Sequence, residues 1–428
     1  MRLRRWLAVY ACLAACTSAS SVDTADVGDD TSEVISEVIE VDDVADPVIP
    51  PGDRPVYAYA LTDAADAPHG PGAYGLPGQV WMVGNQHVRF AIQDVGASVG
   101  LALQGGNLID AQRRLEDGTW SQDLFREMIA IGDFRFVIPE SIELVADGSE
   151  GDVALLRVSG TLGKTQILYQ LDALSGSAPL DVVLEYELDA DATVLTIRTI
   201  VTNPTETDEY GAVGDFISFG DSLALFTRET GYGPPEDVGQ VQLVATRGEG
   251  VCYGYGRAEG AIDVPLSDAS GLGAILDIAR DFPAGEPVTI ERWFTVGDGS
   301  PASVIHPILA RMEAEVGVVT GIVRDAGGVP VAGVSVVALP VPSAGGEPTH
   351  AENEALTDAE GRFELHLTPG SHQLIAHGQG RRRSTPADVS VSASDPTEVS
   401  LAVGERARVT VAVTGEGPRP DTGTFPVV

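Results

Sequence analysis

The residues with which this 428-residue chain could do chemistry are few: seven histidines, three cysteines and a scatter of aromatic rings. His69 lies in a Pro-Gly loop and His87 on a predicted hairpin strand. Either imidazole could move a proton near neutral pH, but each reads as an ordinary structural histidine. His366, His372 and His377 invite a metal, yet they flank a turn without H-x-H or H-E-x-x-H spacing, so no metal site is assigned. Cys252, in Val251-Cys-Tyr-Gly-Tyr255, has no His or Asn near it in sequence and reads as a buried small apolar residue. Aromatic rings could stack against the apolar face of a sugar, and the candidates are Trp81, Trp120, Tyr232, Tyr253 and Tyr255. Trp81 alternates with Val80 and Val83 and belongs to the core by that pattern. Tyr232, in Thr230-Gly-Tyr-Gly-Pro-Pro235, is the surface candidate because glycine and proline place it in a loop. There is no G-x-S-x-G elbow, no P-loop, and no G-x-G-x-x-G opening a helix after a strand. Pairs of acids for glycoside hydrolysis can be assembled at will from 63 Asp and Glu, so they carry no information. No catalytic residue and no cofactor are assigned.

The elements that must position these residues are almost all strands. Residues 79–83 and 86–93 flank Gly84-Asn85, which predicts a hairpin with a type II′ turn. Further strands are predicted at 134–139, 142–146, 153–161, 165–171, 180–188, 194–202, 217–225, 240–246 and 288–296, from β-branched or alternating runs bounded by Gly, Asp, Asn or Pro. So many strands without intervening helices predict an all-β fold, a large antiparallel sandwich. One helix is expected at 300–316, with Pro307 kinking it or falling in its first turn.

The N-terminus differs in kind from the rest of the chain. Arg2, Arg4 and Arg5 precede a short apolar run ending in Leu13-Ala14-Ala15-Cys16, too short to span a bilayer. This resembles the lipobox of bacterial lipoproteins, which implies lipidation of Cys16 and anchoring in the cell envelope. Thr17 after the cysteine favours the outer membrane by the same resemblance. An ordinary cleaved secretory signal is the alternative, and either reading exports the protein. Residues 17–53 alternate acids (Asp23, Asp26, Asp29, Asp30, Glu33, Glu37, Glu40, Asp42, Asp43, Asp46) with single apolar residues, which predicts an extended disordered tether. Calcium is a weak competitor, since no EF-hand spacing occurs there. The net charge of -37 and pI near 4.3 exclude a nucleic-acid binder. Arg381-Arg382-Arg383, the one basic run after the signal, reads as a solvated turn between strands.

Two folded units carry family resemblances. The run from Glu185 to Asn203-Pro204, containing Val201-Thr202-Asn203, resembles the central strands of galactose-mutarotase-like supersandwich domains. With Gly105-Gly-Asn-Leu-Ile-Asp110, Gly214-Asp-Phe-Ile-Ser218 and the Val251 to Tyr255 run, it is similar to the N-terminal β region of exported bacterial proteins that also carry a PHP-type metallohydrolase domain. That resemblance spans 54–315. Mutarotase-like domains use a paired histidine and carboxylate, and no such pair falls on a matching motif here. Residues 316–403 resemble a carboxypeptidase regulatory-like domain of transthyretin-like fold. Asp325-Ala-Gly-Gly328 and Pro369-Gly370 supply its turns, and the bend from Thr357 to Phe363 feeds Phe363 into the core. Residues 404–428 offer one strand and a Pro-rich tail, and the metallohydrolase with its metal ligands is absent from the sequence. The expectation is an anchored envelope protein with a binding or structural role, toward carbohydrate or another envelope protein. A sugar-active enzyme, or the accessory region of a hydrolase, is the alternative. The segment beginning at the 316–318 boundary is expected to fold by itself.

Overall fold

The computed structural model describes residues 54–406 apart from 97–99, 101, 103, 133–134, 164–178, 221–222, 234–239, 268–273 and 343–345. Cys16, the acidic segment 17–53, the strand expected at 165–171 and residues 407–428 lie outside the described residues. The fold is all-β with one α-helix among the described residues.

Among the described residues, seventeen strands of the first unit form two antiparallel layers. In one, neighbours run in the order Val56–Ala60, Val80–Asn85, Val88–Gln93, Leu108–Arg113, Glu127–Gly132, Glu209–Ser218, Ala274–Phe282, Ile262–Ser267 and Gln240–Val241. In the other they run Arg135–Asp147, Val153–Gly163, Asp181–Asp189, Val194–Thr202, Pro287–Gly297, Cys252–Arg257, Leu243–Arg247 and Ala224–Phe226. The chain passes between layers where Ile131 pairs with Phe136. Period-two alternation supplies the core: Val56, Phe90, Leu108 and Val213 from one layer meet Leu156, Leu184, Ile197 and Phe294 from the other.

Three local expectations are corrected. Gly84 and Asn85 belong to the first hairpin strand, and the loop is Gln86-His87. Neither loop residue has the positive φ of a primed turn. Instead Asn85 Oδ1 accepts the N–H groups of His87 (2.8 Å) and Val88 (3.0 Å), so a side chain closes the turn. The strand expected at 217–225 is two elements, one ending at Ser218 and one starting at Ala224. The helix spans Pro301–Arg311, with Pro301 in its first turn and Pro307 inside it. It stops five residues short because Glu313 takes φ 50°, and the Ala314 N–H bonds Leu309 O while the Glu313 N–H bonds Ala310 O. That is a Schellman ending built on glutamate.

The helix packs on the outside of the second layer, with Val304, Ile305, Ile308 and Leu309 against Phe226, Leu243, Cys252 and Trp293. Glycine permits the approach. A Cβ on Gly254 would lie 2.7 Å from Val304 Cβ, and one on Gly256 would lie 2.5 Å from Ile308 Cγ2.

The second unit is a small sandwich. Gly317–Arg324 pairs antiparallel with Arg362–Leu367 and parallel with Thr397–Ala402. Facing them, Ser335–Pro340 lies between Asn353–Leu356 and Gly370–His377, which pairs in turn with Ala387–Val391. Val319, Val336, Phe363, Leu365 and Leu374 fill the space between. Ala302, from the helix of the first unit, joins this core.

Candidate functional site

Tyr253 and Tyr255 alternate with Gly254 and Gly256 on one strand, so the glycines lie under the helix and both tyrosines enter the sandwich core. Both are fully buried, which removes them as stacking platforms for a sugar. The Tyr253 hydroxyl donates to Asp123 Oδ1 (2.6 Å) and accepts the N–H groups of Leu124 and Phe125. Asp123 is hydrogen-bonded to Asp110, which accepts the N–H groups of Tyr74 (2.7 Å) and Gly75 (2.7 Å). Burial, and then the Asp110 charge, push Asp123 far above the usual carboxylate range. The pair therefore holds one proton, on Asp123, donated to Asp110. The Tyr255 hydroxyl donates to Asp215 Oδ2 (2.7 Å), and Arg292 donates to Asp215 Oδ1 (3.1 Å) and Thr199 (2.6 Å). These groups satisfy one another inside the core.

Trp120 is half-buried, with the Arg89 and Arg114 guanidinium carbons 4.6 and 4.9 Å from its ring centroid. Cations thus already sit against the ring offered to a ligand. Arg89 is held in turn by Gln112, whose amide reaches the carbonyls of His69 and Ser121. His69 contacts this glutamine, and His87 is exposed in the hairpin loop. Trp81 is partly buried against the core. Burial pushes the Cys252 thiol up to about 12, so it stays protonated beneath the helix N-terminus, bonded to Ser300 O (3.2 Å).

A cluster of largely buried charged groups lies between the two units. Arg228 pairs with Glu352, both nearly inaccessible, and Glu352 also meets His372 Nε2 (2.7 Å) and the Thr368 N–H (2.8 Å). Burial alone would raise the Glu352 pKa, but the His372 hydrogen bond, Arg228 and the Thr368 N–H outweigh it and hold it at about 2. Glu354, two residues on, accepts from Arg247 Nε (2.8 Å), Ser335 (2.7 Å) and the Tyr232 hydroxyl (2.5 Å). Tyr232 stays 45% exposed, with its ring edge-on to Phe226. Its loop is thus a docking point for the second unit, and its hydroxyl is already engaged. Between the two glutamates, Asn353 Nδ2 donates to His366 O (3.1 Å) and lies 3.4 Å from His306 Nε2. Sequence reasoning missed this cluster. Its one local trace is Glu352-Asn-Glu354, three consecutive buried polar residues that break the alternation expected of a strand.

Beside this junction a cleft of about 820 Å³ opens between residues 298–306 of the first unit and residues 320–324, 362–364 and 398–400 of the second. His306 lies at its inner wall, stacked on His366 with ring centroids 3.9 Å apart. Burial, then His366 and Arg228, lower the His306 pKa to about 3, so its ring is neutral at ordinary pH. His306, His366 and Glu364 are the described residues able to share a metal ion.

Residues 318–404 match the family model of the carboxypeptidase regulatory-like domain. No curated protein matches the chain. Among solved structures, the chain is similar to the Slr1438 protein of Synechocystis sp. PCC 6803 (8% identity, 53% of this chain and 99% of that one, TM-score 0.33). A putative aldose 1-epimerase of Escherichia coli K12 shows 11% identity over 51% of this chain and 99% of that one, with TM-score 0.32. A galactose mutarotase-like protein of Lactobacillus casei ATCC 334 shows 9% identity over 51% and 99%, with TM-score 0.33.

Proposed function

We propose that this chain is a non-catalytic lipoprotein of the cell envelope, anchored through Cys16 in the outer membrane, whose two docked β units bind carbohydrate in the cleft between them. The observation that supports binding is the cleft itself. Its walls set the acids Asp298, Glu364 and Glu398 among the cations Arg324 and Arg362, with Ile322, Phe363 and Val399 supplying apolar surface. Sugar hydroxyls both donate and accept, so such a mixture of carboxylates and guanidiniums suits them. A sugar-active enzyme would need a histidine opposed to a carboxylate across the substrate. On the sandwich, His69 faces Gln112 and His87 is exposed in a loop; in the cleft, His306 is engaged with His366, accepting its N–H at Nε2 and stacking on its ring; and the His372–Glu352 pair is buried under Arg228.

The test is a glycan array probed with the mature chain and with Arg324→Ala and Glu398→Ala. The reading expects a glycan bound by the wild type and weakened about tenfold or more by either change. Absence of any bound glycan, or binding untouched by both changes, defeats it. Cys16→Ser should move the protein to the soluble fraction, since each buried CH₂ of a lipid chain contributes about 0.8 kcal/mol to membrane affinity. Unchanged membrane association would remove the anchor from the reading.

A further inference from the structure

We infer that His306, His366 and Glu364 form a binding site for a divalent transition-metal ion of the zinc type, bridging the two β units. His306 comes from the helix of the first unit, and Glu364 and His366 from the strand Arg362–Leu367 of the second, 60 residues away. The strand sets the pair correctly. Phe363, Leu365 and Leu367 are buried in the small core, so Glu364 and His366, at i and i+2, share the opposite face.

One donor atom from each of the three residues falls within 4.8 Å of the others, and His366 Nε2 is 3.0 Å from Glu364 Oε1. Metal–nitrogen and metal–oxygen bonds of roughly 2.0 to 2.2 Å put tetrahedral donors about 3.3 Å apart. The two imidazoles are now stacked with their planes 6° apart, so closure asks one ring to turn out of the stack until both nitrogen lone pairs point at the ion. The bonds now made by His306 Nε2 are long ones, 3.2 Å from the His366 N–H and 3.4 Å from Asn353 Nδ2. They compete weakly with a metal–nitrogen bond. Two imidazoles and one carboxylate favour zinc, copper or nickel over calcium and magnesium, which take oxygen ligands. Glu364 and His306 line the cleft, leaving a coordination position open toward it.

The test is equilibrium dialysis of the full mature chain against Zn²⁺ alone, beside Glu364→Gln, His366→Gln and His377→Gln. The acidic chain will also take up zinc diffusely, and that background is common to all four proteins. One tight equivalent is expected in the wild type and in His377→Gln, weakened at least tenfold in Glu364→Gln and His366→Gln, and not displaced by millimolar Mg²⁺. Glu364 is more than half exposed, so its variant keeps the fold even if His366→Gln does not. Substitution by Co²⁺ should give visible absorption bands that Glu364→Gln alters. Equal zinc binding by wild type and Glu364→Gln, displacement by Mg²⁺, or diffuse binding alone would overturn the site.

Discussion

Asp123 in the sandwich interior and Glu352 at the junction are buried alike and shifted in opposite directions. Asp123, beside Asp110, has no cation in its hydrogen-bonding shell and keeps its proton, whereas Glu352, between Arg228 and His372, is held ionised with a pKa of about 2. Burial raises both, so the partners decide the outcome. At the Asp123–Asp110 pair a shared proton takes the place of a counter-ion, whereas Asp215 in the same interior has Arg292. Between units the charge of one unit is completed by the other, so the pairing forms only on docking.

The harshest way to break this contrast is Arg228→Ala, which leaves Glu352 buried without its cation. It should destabilise the docked state by about 3 to 5 kcal/mol. Urea unfolding at neutral pH checks it, and a loss below about 1 kcal/mol would contradict the pairing.

Acid should act in the same place. Glu352 has a folded pKa of about 2 against an ordinary 4.5, so its contribution is complete above pH 4.5 and is lost as pH falls toward 2. The shift corresponds to roughly 3 kcal/mol. His306, held at about 3 against 6.5, adds a loss of stability as pH falls from 6.5 to 3, because the unfolded imidazole binds the proton first. Measured against Glu352→Gln at each pH, the stability advantage of the wild type should be constant above about pH 4.5 and shrink as pH falls toward 3.

Tyr232→Phe deletes the hydroxyl bond to Glu354 while keeping the ring on Phe226. The expected cost is about 1 kcal/mol, measured by the same urea unfolding.

Asp123→Asn sharpens the contrast from the other side. An amide can donate to Asp110 and accept from Tyr253 as the protonated acid does, so the cost should stay below about 1 kcal/mol. Asp123 has a raised pKa, so the wild type loses stability as pH rises from about 3.8 through the folded value. The variant should lack that decline.

Strands such as Val153–Gly163, Asp181–Asp189 and Val194–Thr202 are legible in sequence because alternation is local. The regulatory-like unit is legible from the turn residues Asp325, Gly327, Gly328, Pro369 and Gly370. Tyr253 and Tyr255 read as candidate stacking rings in sequence because nothing local shows that a helix covers the glycines alternating with them and so turns both rings into the core. The Arg228–Glu352 pair joins residues 124 positions apart, and His306 meets His366 across 60. No local pattern encodes such meetings, which the docking of the two units creates.

That docking is the central claim, and heating residues 54–406 in a calorimeter tests it most directly, with and without Arg228→Ala. The account predicts one cooperative transition for the wild type, resolved into two by the substitution as the units separate. Two independent transitions already present in the wild type would contradict it, as would one unchanged transition in the variant.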